Sequence, residues 1–167
     1  MPEMPTDPVQ TPVVLAVVLA DVVYRDPISN KYSMIGTFSG VASRTFPCTH
    51  PSLGIYVAMT DVYGEIPLVI TIVNAENGKE IFRIEGGMKT ASPLAVVEFG
   101  VTVHNVEFPE PANYRLQLSA SRDATPLLER RITATRTVNQ TTGLDGFGDF
   151  TSNSDDDHDD EDDDLTT

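Results

Sequence analysis

LGIYVAMTDVYGEIPLVITIVNAENGKE, residues 53–80, decides the fold class. Its first eight residues alternate, with Leu53, Ile55, Val57 and Met59 on one side and Gly54, Tyr56, Ala58 and Thr60 on the other. A period of two belongs to an extended strand, where successive side chains point to opposite faces. Asp61-Val62-Tyr63-Gly64 interrupts the pattern, and Ile66, Leu68, Ile70 and Ile72 restore it. Asn74-Ala75-Glu76-Asn77-Gly78-Lys79 then supplies a hairpin turn, because Asn and Gly tolerate positive φ, and a further strand starts at Glu80.

The same rhythm runs outward in both directions. Upstream, Val13 to Tyr24 reads as one long buried strand, rich in β-branched residues. A turn at Arg25–Asn30 leads to a second strand from Lys31 to about Ser43, with Met34, Gly36, Phe38 and Gly40 on one face. A proline-bounded link, Phe46–Pro51, precedes the quoted segment. Downstream, the strand from Glu80 is expected to end at Gly86-Gly87. A strand from Leu94 to Val106 turns Val97, Phe99, Val101 and Val103 inward and His104 outward. The next one turns Tyr114, Leu116, Leu118 and Ala120 inward, and the last runs from about Leu127 to Thr135. No long segment keeps a period of 3.6 without Gly or Pro, so no substantial helix is expected. The fold class predicted is all-β: an antiparallel two-sheet β-sandwich of about eight strands, with a closed barrel as competitor. Residues 13–137 form the domain, 1–12 a disordered proline-rich lead, and 138–167 a disordered linker and acidic tail.

The 167 residues carry 25 Asp and Glu against 11 Lys and Arg, a formal charge of −14. That charge is uneven: residues 1–140 hold −3 and residues 141–167 hold −11, with no basic side chain in the second part. A chain of this sign lacks the clustered cations that phosphate backbones and anionic lipid surfaces demand, so nucleic acid and membrane are not expected partners. The longest apolar run, Val13–Ala20, falls well short of the roughly 18 residues that span a bilayer. No Lys or Arg precedes it, unlike the start of a secretory signal. One cysteine forms no internal disulfide, which fits a reducing compartment, and the expected location is the cytoplasm.

Catalytic signatures are sparse. There is no G-x-S-x-G, H-E-x-x-H, phosphate-binding loop or calcium loop. Cys48 and His50 come nearest to a nucleophile and base, but residues two apart on an extended segment stand roughly 6.5 Å apart. Cys48, His50 and His104 are too few for a structural zinc site, so no catalytic, cofactor or metal residue is assigned. Candidates for an interaction surface are the outward Tyr56, Tyr63 in the following turn, His50, and the cationic Arg115 and Arg131 near Arg122, Arg130 and Arg136. Arg130 would share the inward face of its strand with its head reaching water. Such a cationic edge suits a carboxylate ligand or the chain's own tail, and equally protects a sheet edge against strand pairing. Within that tail, residues 155–164 place nine carboxylates around His158.

The stretch Phe108-Pro109-Glu110-Pro111-Ala112-Asn113-Tyr114 resembles the entry to a late strand of immunoglobulin-like and fibronectin-like sandwiches. That resemblance implies a tyrosine corner for Tyr114, a structural role, without the core cysteines and tryptophan of antibody domains. From about Val17 to Ile132 the chain also resembles a small uncharacterised bacterial domain-of-unknown-function family. The likeness rests on Ala20-Asp21, Tyr32–Phe38, Phe46-Pro47 with His50-Pro51, Pro93–Val97, and Val106–Pro109 through Tyr114 to Glu129-Arg130-Arg131. It implies one sandwich domain and no activity. The function expected is a non-enzymatic binding or structural module that contacts a protein partner, with the tail solubilising it or modulating association. Two rivals are a small-ligand protein or enzyme with a site near Cys48 to His50, and an exported or envelope-associated sandwich.

Overall fold

The computed structural model describes residues 11–90, 92–120 and 125–137. The bulk of the expected lead, the tail from residue 138, and Arg122 lie outside the described residues. Among those described there is no helix. Nine strands follow in order: β1 (Val13–Arg25), β2 (Tyr32–Thr37), β3 (Gly40–Ser43), β4 (Cys48–Thr60), β5 (Glu65–Asn74), β6 (Glu80–Lys89), β7 (Val97–Phe108), β8 (Ala112–Ser119) and β9 (Leu128–Arg136).

They form two sheets, one of four strands in the order β2-β1-β4-β7 and one of five in the order β3-β9-β8-β5-β6. The first is antiparallel throughout. The second is mixed, because β3 runs parallel to β9. The count of eight and the all-antiparallel expectation are therefore corrected together. The single strand expected from Lys31 to Ser43 is two, split at Phe38-Ser39, where the chain leaves one sheet for the other. Gly36, at a φ of 70°, marks the departure with a left-handed residue that the alternation could not reveal.

Residues from both sheets make up the core. Leu53, Ile55, Val57 and Met59 of β4 are fully buried, and Ile72, Leu116, Leu118 and Ile132 complete the opposing layer. Tyr114 is also fully buried; its hydroxyl donates to the Glu110 carbonyl at 2.9 Å, and its ring meets Phe108 edge-on at 5.1 Å.

Beyond Pro51, opposite Asn105, the faces exchange. Val97, Phe99, Val101 and Val103 pack on the core with one parity, but Val106 and Phe108 are buried with the other. Asn105 between them has a φ of 59°, which turns the strand and brings the next residues inward. On β4, Cys48 faces Phe108 and His50 faces Val106, so the link expected at Phe46–Pro51 is strand from Cys48 onward.

The long strand expected at Val13–Tyr24 is not buried throughout. It pairs with β4 only as far as Ala20, and from Val22 to Arg25 it pairs with β2 alone. A register shift between Val14 and Ala16 leaves Leu15 exposed, and Val13, Val22 and Tyr24 are exposed as well. The β1–β2 arm lies on the outer face of its own sheet, where Gly54 and Gly100 leave room. A Cβ at Gly54 would stand 2.8 Å from the Val23 side chain, and one at Gly100 would stand 2.4 Å from it.

The two margins of the body differ. At one, Phe38 N–H donates to Leu19 O and Thr133 N–H to Ser39 O, so the crossing chain laces the sheets together. Arg130 reinforces this margin: its guanidinium donates to Val17 O at 2.5 Å and to Phe38 O at 3.2 Å, so its head bonds backbone rather than reaching water alone. At the other margin the edge strands β6 and β7 face each other, and the chain passes from one to the other between Lys89 and Val97, where Thr90 N–H donates to Gly64 O and Asp61 N–H to Pro93 O.

Candidate binding cleft

Strand β6 was expected to stop at Gly86-Gly87, yet it continues to Lys89. Its inward positions are Phe82 opposite Ile72, Ile84 opposite Ile70, Gly86 opposite Leu68, and Met88 opposite Ile66. Gly86 thus occupies a core-facing position and presents no side chain to it. Its φ is not positive, so the backbone does not require glycine. A Cβ built there meets no atom within 4 Å. Glycine inside a strand weakens it and commonly marks a place where something else approaches.

The missing side chain opens a cleft of about 390 Å³ between β6 and β7. Leu68, Ile70, Ile84, Met88, Phe99 and Val101 make its apolar wall. Glu85, Lys89 and Glu98 give it a polar rim. Glu85 accepts from Arg83 at 3.4 Å, and Glu98 accepts from the hydroxyl of Tyr56. The volume lies within the range of small-ligand sites, and the flanking strands are each the last of their sheet.

None of the interaction-surface candidates read from the sequence, Tyr56, Tyr63, His50, Arg115 or Arg131, lines this cleft. Tyr56, expected to be exposed, is buried because the β1–β2 arm covers its face: Tyr32 packs on it with ring centroids 5.4 Å apart, and Glu98 takes its hydroxyl. Burial, then the hydrogen bond and the negative charge of Glu98, push the Tyr56 hydroxyl up from 10.0 to about 12. Tyr63 is exposed in the loop after β4. Arg115 and Arg131 stand directly opposite each other on β8 and β9, and Arg115 pairs with Glu129 at 3.5 Å.

His50 lies beside Phe38, ring to ring at 4.9 Å, with Nε2 3.6 Å from Asp21 Oδ1. That is ion-pair range but too long for a hydrogen bond. Cys48 is buried, and burial pushes its thiol up, away from the thiolate that nucleophilic chemistry uses. Among the described residues no group of three or more His, Cys, Asp or Glu side chains is placed to hold a metal ion. Nor is any helix there long and apolar enough to cross a membrane.

The signal for the cleft was present in the sequence as Ile84-Glu85-Gly86-Gly87-Met88, where the alternation passes through the glycine pair and resumes. A family model described as a family of unknown function, DUF6941, matches residues 15–132. No curated protein matches the chain.

Proposed function

Since the chain belongs to that family, which brings no activity with it, we propose from the geometry that it is a non-enzymatic binding module. On an immunoglobulin-like scaffold, it takes an extended apolar segment of a protein partner into the cleft between β6 and β7. One observation carries the reading: a core-facing strand position, Gly86, is left without a side chain, and the space so made opens between two edge strands. An extended segment suits such a place, because its backbone finds strand edges and its alternate side chains find the apolar wall. The tyrosine corner at Tyr114 and the absence of a thiolate environment at Cys48 support the scaffold and the non-enzymatic character respectively.

The test is selection from a random-peptide library on the full chain, with Gly86→Leu as the plugged variant. Peptides with alternating apolar residues are expected to bind the natural chain and to lose at least tenfold in affinity for Gly86→Leu. Enriched peptides that bind both proteins equally would overturn the assignment of the cleft, as would a library that yields no binder.

A further inference from the structure

A second surface, independent of the cleft, is defined by charge. Arg115 and Arg131 face each other across β8 and β9, a like-charge pair that destabilises a sheet unless something neutralises it. Arg115 pairs with Glu129, which is shared: its Oε2 receives Arg115 at 3.5 Å and its Oε1 receives Gln117 at 2.5 Å. The Nε of Arg115 is buried without a hydrogen-bond partner among the described residues. Among those residues, too, no carboxylate lies within ion-pair distance of Arg131, Arg136 or Arg44. Ser43 lies opposite Arg136, so Arg44, the next residue, continues from the same end of the sheet. The outer face of β8 and β9 therefore carries the Arg115–Arg131 pair on a domain whose overall balance is acidic, while Arg136, on the parity of Ile132 and Ala134, lies at the end of β9.

The chain itself carries the complement. It leaves this surface at Thr137, whose N–H donates to Ser43 O. Residues 141–167 then hold eleven acidic side chains and no basic one, nine of the eleven within 155–164. About 18 residues separate Thr137 from Asp155, a glycine-bearing length with a mean span of roughly 24 Å and a maximum near 60 Å. That is ample to turn back over β9. Tethering supplies an effective concentration of roughly millimolar order, so several weak contacts suffice.

We propose that residues 155–164 dock across the Arg115–Arg131 pair of the same chain, held by carboxylate–guanidinium contacts. Guanidinium is the cation suited to this, since its planar fork takes a carboxylate through two parallel N–H donors. The occupant is polyanionic peptide, and an acidic segment of another protein would reach this surface only by displacing the tail.

The experiment uses the full chain with a nitroxide on Asn153→Cys, Cys48 being buried. Amide signals of residues 113–117 and 129–133 are expected to lose more than half their intensity at low salt. They should recover in roughly 0.5 M sodium chloride, where charges are screened within a few ångströms. Arg115→Gln with Arg131→Gln should also restore them, while Lys31→Gln on the distant arm should not. Signal dispersion in each spectrum reports that the variant is folded. Broadening elsewhere, or none, overturns the proposal. So does broadening of an unlabelled-tail chain mixed with a nitroxide-bearing one, which would assign the contact to a second copy.

Discussion

A leucine at Gly86 would place a methyl-bearing side chain on the core side of β6 between Ile84 and Met88, in space that is now open. Replacing a strand-interior glycine removes an entropic cost of roughly 0.5–1 kcal/mol and buries new apolar surface. Gly86→Leu is therefore expected to unfold at a higher urea concentration than the natural chain while losing peptide binding; a destabilised variant would show that the cleft is already filled. Tyr56 gives a pH signature. Its folded pKa of about 12 exceeds its ordinary 10.0, so below pH 10 its contribution to stability is complete. Between 10 and 12 the unfolded chain releases a proton that the folded chain keeps, and stability falls. Tyr56→Phe should flatten that decline in urea unfolding measured across the interval. Some slope remains from Tyr114, whose hydroxyl burial also pushes up. An unchanged slope in Tyr56→Phe would mean that the Tyr56 proton is not held by Glu98 and burial.

At the scale of elements, the β1–β2 arm depends on what β4 and β7 lack. A Cβ on Gly54 would press on the backbone nitrogen of Val23 at 3.0 Å and the Ala20 carbonyl at 3.1 Å, atoms that cannot rotate away. Gly54→Ala is expected to lift the arm, read as faster hydrogen exchange at Val22–Tyr24 with β5 and β8 unaffected; unchanged exchange there would mean that the arm bears elsewhere. The same glycines explain what the sequence could and could not disclose. Strands β4, β5 and β8 were legible because their inward residues, Leu53–Met59, Ile66–Ile72 and Tyr114–Leu118, keep one parity against a solid core. The arm was not, because its covering of Tyr56 depends on gaps, and a gap leaves no mark in a hydrophobic pattern. Asn105 hid the inward turn of Val106 and Phe108 for a related reason: one left-handed residue reverses the parity on which the reading rests. Gly86 was visible as a letter but was read as an end, since a glycine pair closes strands more often than it hollows them.

Taken whole, the molecule has its two sheets laced directly along one margin and parted by a cleft along the other. Arg130 ties the sheets through Val17 and Phe38 beside the β2–β3 crossing, whereas β6 and β7, joined by the segment between Lys89 and Val97, meet across the cleft. Cys48, the chain's lone thiol, is enclosed opposite Phe108 in the same interior. It thereby acts as a clock: an alkylating reagent reaches it as that end of the interior opens, so the labelling rate in native buffer reports those openings. A segment seated in the cleft would brace the margin of β6 and β7 and slow the clock, even though it never touches sulfur.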